Sequence, residues 1–210
     1  SVQTRPAGWE NSTNSGTNGN FTKAAASATT PEIDTYLEAW NGTASTIKFD
    51  YNQVLANVPN GVYVLSAATF TEDKGGNAVL YGNDVTAPMK AGVTGDNFFD
   101  VNNPAVNTTL TVVVTNDTLQ IGIKTIGTLN GSWNGADYFK LAYLGDEAAL
   151  KQELTDSIAV ATGLKEGATK ALIVKAEMNK LTAAIDGGNT ALTSTDISAL
   201  SARAEAPVNK

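Results

Sequence analysis

Trp133-Asn134-Gly135-Ala136-Asp137-Tyr138-Phe139-Lys140-Leu141-Ala142-Tyr143 reads as one β-strand entered through a loop. Side chains alternate along a strand, so Phe139, Leu141 and Tyr143 share one face and Tyr138 and Lys140 the other. Asp137 has the parity of the apolar face. A carboxylate there sits at the strand mouth or is partly buried, and a buried charge needs a partner. Past Gly145 the period-two pattern stops, so this strand closes a β-rich segment.

Upstream, the same alternation recurs in short runs. Ile47, Phe49 and Tyr51 alternate with Thr46, Lys48 and Asp50, as in a half-buried strand. Tyr36–Trp40 reads as the strand before it. Val58-Pro59-Asn60-Gly61 is a turn, with Pro presetting φ and Asn-Gly tolerating the φ that the next positions need. Val62–Phe70 is apolar on both faces, which predicts a central strand, and Ala78–Tyr81 predicts a short one. Leu110, Val112 and Val114 form one face of a further strand, and Leu119, Ile121 and Ile123 of another. Asn116-Asp117 between those two predicts a hairpin. Residues 1–35 and 82–107 read as loop-rich, with a weak edge strand in 23–30. About eight short strands at this spacing predict an antiparallel jelly-roll β-sandwich.

Downstream, the period becomes helical. Leu150, Leu154, Ile158 and Ala161 form one stripe behind Asp146, an N-cap. Gly163 and Gly167 bracket a break. Leu172, Ala176, Leu181 and Ile185 form a second stripe, ended by Gly187-Gly188. Thr193-Ser194-Thr195-Asp196 opens a third, short helix. The expected organisation is mainly β: a sandwich over 1–145 and a small three-helix bundle over 146–210.

Composition removes whole classes of chemistry. The 210 residues contain no histidine and no cysteine, which excludes disulfides, thiolate metal sites and His-based nucleophilic triads. The net charge of -7 without any basic run argues against nucleic acid and anionic membranes as partners. No stretch of about 18 apolar residues offers a membrane span. The chain starts and stops abruptly, as a piece of a longer protein would. Six Asn-x-Ser/Thr sequons fit chance in so Asn- and Thr-rich a chain.

The order of motifs resembles a known family. It runs Gly8-Trp9, then Tyr36-x-Glu38-x-Trp40-Asn41, Phe49-Asp50-Tyr51-Asn52-Gln53 and Val58-Pro59-Asn60-Gly61-Val62-Tyr63. Leu119-Gln120-Ile121-Gly122-Ile123 comes next, and Trp133 precedes Asp137-x-Phe139-x-Leu141-x-Tyr143-x-Gly145. Together these resemble the galactose-binding-like jelly rolls of large secreted and surface proteins of gut commensal bacteria. The helical tail resembles the FIVAR type of three-helix module. The resemblance implies glycan binding, secretion or display on a bacterial surface, neighbouring domains in a longer parent chain, and in many relatives a structural calcium between the first and last strands.

Sugar recognition joins an aromatic face to amides or carboxylates. Trp133 with Asn134, and Trp40 with Asn41, supply both elements; Trp9, and Tyr81 with Asn83, are weaker versions. The alternative is that the tryptophans plug the ends of the sandwich. For calcium, Asp137 is the best candidate, with Glu10 and Glu38 contributing if the first and last strands are neighbours. The alternative for Asp137 is a carboxylate accepting backbone N–H bonds or pairing with a lysine. Asp96, Asn97, Asp100, Asn102 and Asn103 form a second oxygen-rich patch without EF-hand spacing. Function is thus expected to be non-catalytic carbohydrate binding. A structural spacer or adhesion module is the first alternative, and a carboxylate-based glycosidase or lyase the second.

Overall fold

The computed structural model describes residues 5–19, 21–23, 35–92, 104–168 and 175–193. The strands are arranged in two five-stranded sheets. One has the order β1 (Trp9–Ser15), β4 (Lys48–Ala56), β9 (Thr118–Thr125), β6 (Ala78–Gly82), β7 (Val85–Pro88). The other has the order β2 (Phe21–Lys23), β3 (Thr35–Trp40), β10 (Trp133–Gly145), β5 (Gly61–Thr71), β8 (Asn107–Val114). Leaving out β1 and β2, the orders 4-9-6-7 and 3-10-5-8 are those of a jelly roll, the expected mainly β architecture.

The alternation seen in the sequence builds the space between the sheets. Tyr51 on β4 faces Ile123 on β9, which faces Leu80 on β6, and all three are buried. The Tyr51 hydroxyl crosses to the other sheet and donates to the Glu38 carbonyl of β3 at 2.9 Å. On that sheet Leu37, Ala39 and Ala136 are buried on the same inner side. A separate cluster of Tyr36, Ala68, Phe70 and Val106, joined by Trp133 and Tyr138, packs together. By strand parity Tyr36, Ala68, Phe70 and Trp133 lie on the opposite face of this sheet.

Several elements differ from the sequence reading. Asn116-Asp117 does not close a hairpin: β8 and β9 lie in different sheets, so the turn carries the chain across the sandwich. Their apolar faces meet partners through the core rather than side by side, and local pattern does not distinguish the two cases. β1 and β7 were hidden because they are edge strands with mostly exposed, polar or short sequences. β10 starts at Trp133, the first residue of the stretch read as a strand, and is irregular at Tyr138, whose φ is 56°. That left-handed conformation is rare for a bulky residue and marks a bulge-like break in alternation.

The chain divides into two compact units, Ser1–Pro59 with Val64–Ala142, and Asn60–Tyr63 with Tyr143–Lys210. In the second, α1 (Glu147–Ala168) is capped as expected, the Ala149 N–H donating to Asp146 Oδ1 at 2.7 Å. It runs through Gly163 without a break. α2 (Lys175–Thr193) runs through Gly187-Gly188 instead of ending there. The reason is packing: a Cβ on Gly188 would lie 3.1 Å from Ile158 Cδ1, so glycine lets the two helices approach where Leu154, Ile158, Ala191 and Leu192 meet. The third helix and the Asp96–Asn103 patch lie outside the described residues. No described helix is long and apolar enough to cross a membrane.

The two helical glycines predict opposite responses. A methyl added at Gly163 would meet open space, so Gly163→Ala should stabilise the helical unit by about 0.5–1 kcal/mol through helix propensity. Gly188→Val should destabilise it by about 1–3 kcal/mol through overpacking. Urea unfolding followed by far-UV circular dichroism reads both; equal effects at the two sites would contradict the packing role of Gly188.

Candidate functional site

Trp133 opens β10 directly opposite Trp40, the last residue of β3. Facing residues of an antiparallel pair share a side of the sheet, so the two indoles stand together at its end. Gly135 and Glu38 form the next pair on that side. Glu38, Trp40, Asn41, Gly42, Ser132 and Trp133 line a concavity of about 470 Å³. Trp40 is 43% exposed at this mouth, while Glu38 is only 7% exposed.

Each wall is held by identifiable bonds. Glu38 Oε1 accepts from Trp133 Nε1–H at 2.8 Å and from the Tyr36 hydroxyl at 2.8 Å. Burial first, then the Glu38 charge, push the Tyr36 phenol well above its ordinary value, so it stays a donor. Phe70 meets the Trp133 ring nearly edge-on at 4.6 Å, fixing its plane. The Trp40 backbone is clamped by Thr17, whose Oγ1 accepts from Trp40 N–H at 2.9 Å and donates to Trp40 O at 3.2 Å. Asn41 Oδ1 accepts from Thr43 N–H at 3.0 Å, an Asx turn that leaves its amide N–H groups to donate elsewhere. Ser132 donates through both N–H and hydroxyl to Glu72 Oε2, at 2.9 and 2.6 Å. A methyl on Gly42 would meet nothing within 4 Å, so this position of the rim faces open space.

The structure therefore gathers Trp40, Asn41 and Trp133, and adds Glu38, Gly42 and Ser132 to them. Gly42 and Ser132 were missed by sequence reading, although each flanks a tryptophan segment. Asn134 is not part of the site. As the next residue in the strand it faces inward, is fully buried, accepts from Thr71 Oγ1 at 2.6 Å and donates to Ala39 O at 3.2 Å. Tyr81 is also misplaced as a ligand platform. It is 2% exposed, donates to Asp50 Oδ1 at 2.7 Å, and carries Lys124 Nζ 4.2 Å above its ring.

The proposed calcium ligands are not brought together. Glu10 is exposed and paired with Arg5 at 2.7 Å. The Glu38 carboxylate is engaged as above. Asp137 lines a different concavity of about 420 Å³ with Trp9, Gln53, Leu55, Ile121 and Phe139. Among the described residues, no three acidic side chains are grouped to hold a metal ion.

Asp137 has another consequence. Trp9 and Phe139 meet at 4.8 Å beside it, and burial pushes its carboxyl up to about 6, partly opposed by a hydrogen bond from the Tyr138 backbone. A carboxyl raised in the folded state favours folding most when protonated, below its unfolded value of 3.8. That advantage is lost as the pH rises through about 6. Asp137→Asn should therefore raise stability at pH 7.5 and change it little at pH 3.5, as measured by denaturant unfolding at each pH. Equal effects at both values would contradict the assignment.

No protein-family model matches the chain, and no curated protein shows significant similarity to it. Among solved structures, a family 35 carbohydrate binding module from an environmental isolate is similar at 16% identity and a TM-score of 0.40, over 68% of this chain and 92% of that one. A β-glucosidase from Kluyveromyces marxianus in complex with glucose is similar at 10% identity and a TM-score of 0.29, over 71% of this chain and 21% of that one. Its selenomethionine-labelled form is similar at 9% identity and a TM-score of 0.29, over 68% and 18%. At these scores the likenesses are too distant to bear on function, which is read from the site's own geometry.

Proposed function

We propose that the β-sandwich is a non-catalytic carbohydrate-binding module whose site is the Trp40–Trp133 concavity. The observation that carries this reading is the exposed Trp40 indole at the mouth of a recess that also holds an amide, a hydroxyl and a carboxylate. A large aromatic left in water at a fixed backbone position offers a flat apolar surface for the face of a sugar ring. Asn41, Ser132 and Glu38 supply donors and acceptors for its hydroxyls. Preorganisation by the Thr17, Glu38 and Glu72 bonds lowers the ordering cost of binding.

The lining contains one carboxylate, whereas glycoside hydrolysis ordinarily employs two across the scissile bond. This favours retention of the glycan over its cleavage. Export from a bacterial cell as part of a multidomain protein belongs to the same proposal. Its support is the motif resemblance, and recovery of the full-length protein only from cytoplasmic fractions would contradict it.

The test is a glycan array followed by titration calorimetry with the best ligand. Trp40→Ala should cost about 2 kcal/mol or more of binding, roughly thirtyfold in affinity. Its unfolding free energy should shift by no more than about 0.5 kcal/mol, as for an exposed residue. Absence of binding across diverse glycans would favour a spacer or adhesion role instead, and turnover of a bound glycan would favour the glycosidase.

A further inference from the structure

A second concavity, of about 420 Å³, shares none of its lining with the Trp40–Trp133 recess. Pockets for small molecules run from about 300 to 1,000 Å³. Trp9, Gln53 and Ile121 stand in one row across β1, β4 and β9. Gln53 and Ile121 are two residues along from Tyr51 and Ile123, so the row shares their inward face. β10 supplies the remaining wall, where Asp137 and Phe139 flank the break at Tyr138. The Trp9 and Phe139 rings meet at 4.8 Å and an angle of 58°, forming an aromatic corner. Leu55, Ile121 and Leu141 complete an apolar surround.

Polar groups are set into this surround. The Asp137 carboxyl accepts the Tyr138 backbone N–H, and among the described residues no ion pair engages it. The Gln53 side-chain amide makes no hydrogen bond to another described residue. The basic side chain of the lining, Lys140, holds its Nζ 4.1 Å over the Tyr138 ring. A carboxylate set among apolar walls gains most from a ligand that brings its own positive charge and N–H donors. Indole and phenyl faces attract the same charge. The Gln53 amide oxygen adds an acceptor for an ammonium N–H, and the apolar walls suit an alkyl stem. We propose that this cleft is a second binding site, for a ligand carrying an alkylammonium group, with Asp137 as its counter-ion and Trp9 and Phe139 as its aromatic walls. Lys140 opposes the ligand's charge and limits its affinity. The proposal stands independently of carbohydrate binding at the other recess.

The experiment titrates the full chain at pH 8, where Asp137 is ionised, with n-pentylammonium chloride and with its neutral analogue n-pentanol. The Trp9 indole N–H signal in a ¹⁵N-correlated NMR spectrum should move saturably with the amine, while the Trp40 and Trp133 signals stay in place. Affinity for the amine should exceed that for the alcohol about tenfold and fall as sodium chloride is raised. Asp137→Asn should weaken amine binding severalfold, and Lys140→Gln should strengthen it. N-acetyl-lysine methylamide presents the same ammonium on a peptide unit. Tighter binding of that probe than of the free amine would point to a partner's lysine side chain as the source, and weaker binding to a free small molecule. Equal affinity for amine and alcohol, or reversed effects of the two substitutions, would overturn the proposal, as would a Trp9 signal that neither ammonium probe moves. Displacement of the amine by calcium chloride, beyond that by sodium chloride at equal ionic strength, would overturn it in favour of a metal ion.

Discussion

The Glu38 carboxylate is the interaction on which the candidate site depends. It sits almost out of water on β3 and collects the Trp133 indole N–H from β10 and the Tyr36 hydroxyl from its own strand. A buried charge is costly unless it is hydrogen-bonded, and satisfying it fixes the donors in place. Trp133 is thereby set beside Trp40, with Phe70 holding its ring from the side. The backbone of the same residue accepts the Tyr51 hydroxyl from the other sheet, so one position ties the core, the strand pair and the recess together. The Trp133 wall of the recess is thus held by bonds within the protein itself.

β10 carries the unfavourable features of the sandwich. Tyr138 is held at a φ of 56°, and Asp137 next to it is a partly buried carboxyl raised by desolvation. Left-handed backbone at a bulky residue costs about 1–3 kcal/mol. Part of that is offset locally. The Tyr138 ring packs with Trp133 against Tyr36, Phe70 and Val106, and Lys140 Nζ lies 4.1 Å over it. Phe139 meets Trp9 instead. The break at Tyr138 lets one strand serve two environments, the aromatic cluster beside the recess and the Trp9–Asp137 cleft.

The architecture was largely legible in the sequence because its inner strands alternate strictly: Ile47, Phe49, Tyr51 and Leu119, Ile121, Ile123 point where parity puts them. Edge strands were not legible. β1 is Trp-Glu-Asn-Ser-Thr-Asn-Ser, and its strand state comes from pairing with β4 rather than from its own apolar pattern. Sheet membership was not legible either, as the Asn116-Asp117 turn shows, since turn chemistry says nothing about which sheet the next strand joins. Of the expected sugar contacts, Trp40, Asn41 and Trp133 came together because both tryptophans mark strand ends. Asn134 failed by parity: adjacent residues in a strand cannot both face one ligand. Tyr81 failed because its hydroxyl serves Asp50. Glu38 was singled out for its charge, but for metal binding. Its two donors are distant or aromatic partners that carboxylate spacing does not reveal.

The most direct test of the central claim reads the indoles themselves. The chain has three tryptophans, hence three indole N–H signals in a ¹⁵N-correlated NMR spectrum. Titration with the best glycan should move the Trp40 and Trp133 signals together and saturably, and leave Trp9, in the other cleft, in place. Movement of Trp9 alone, or binding that leaves both Trp40 and Trp133 unmoved, would contradict the account.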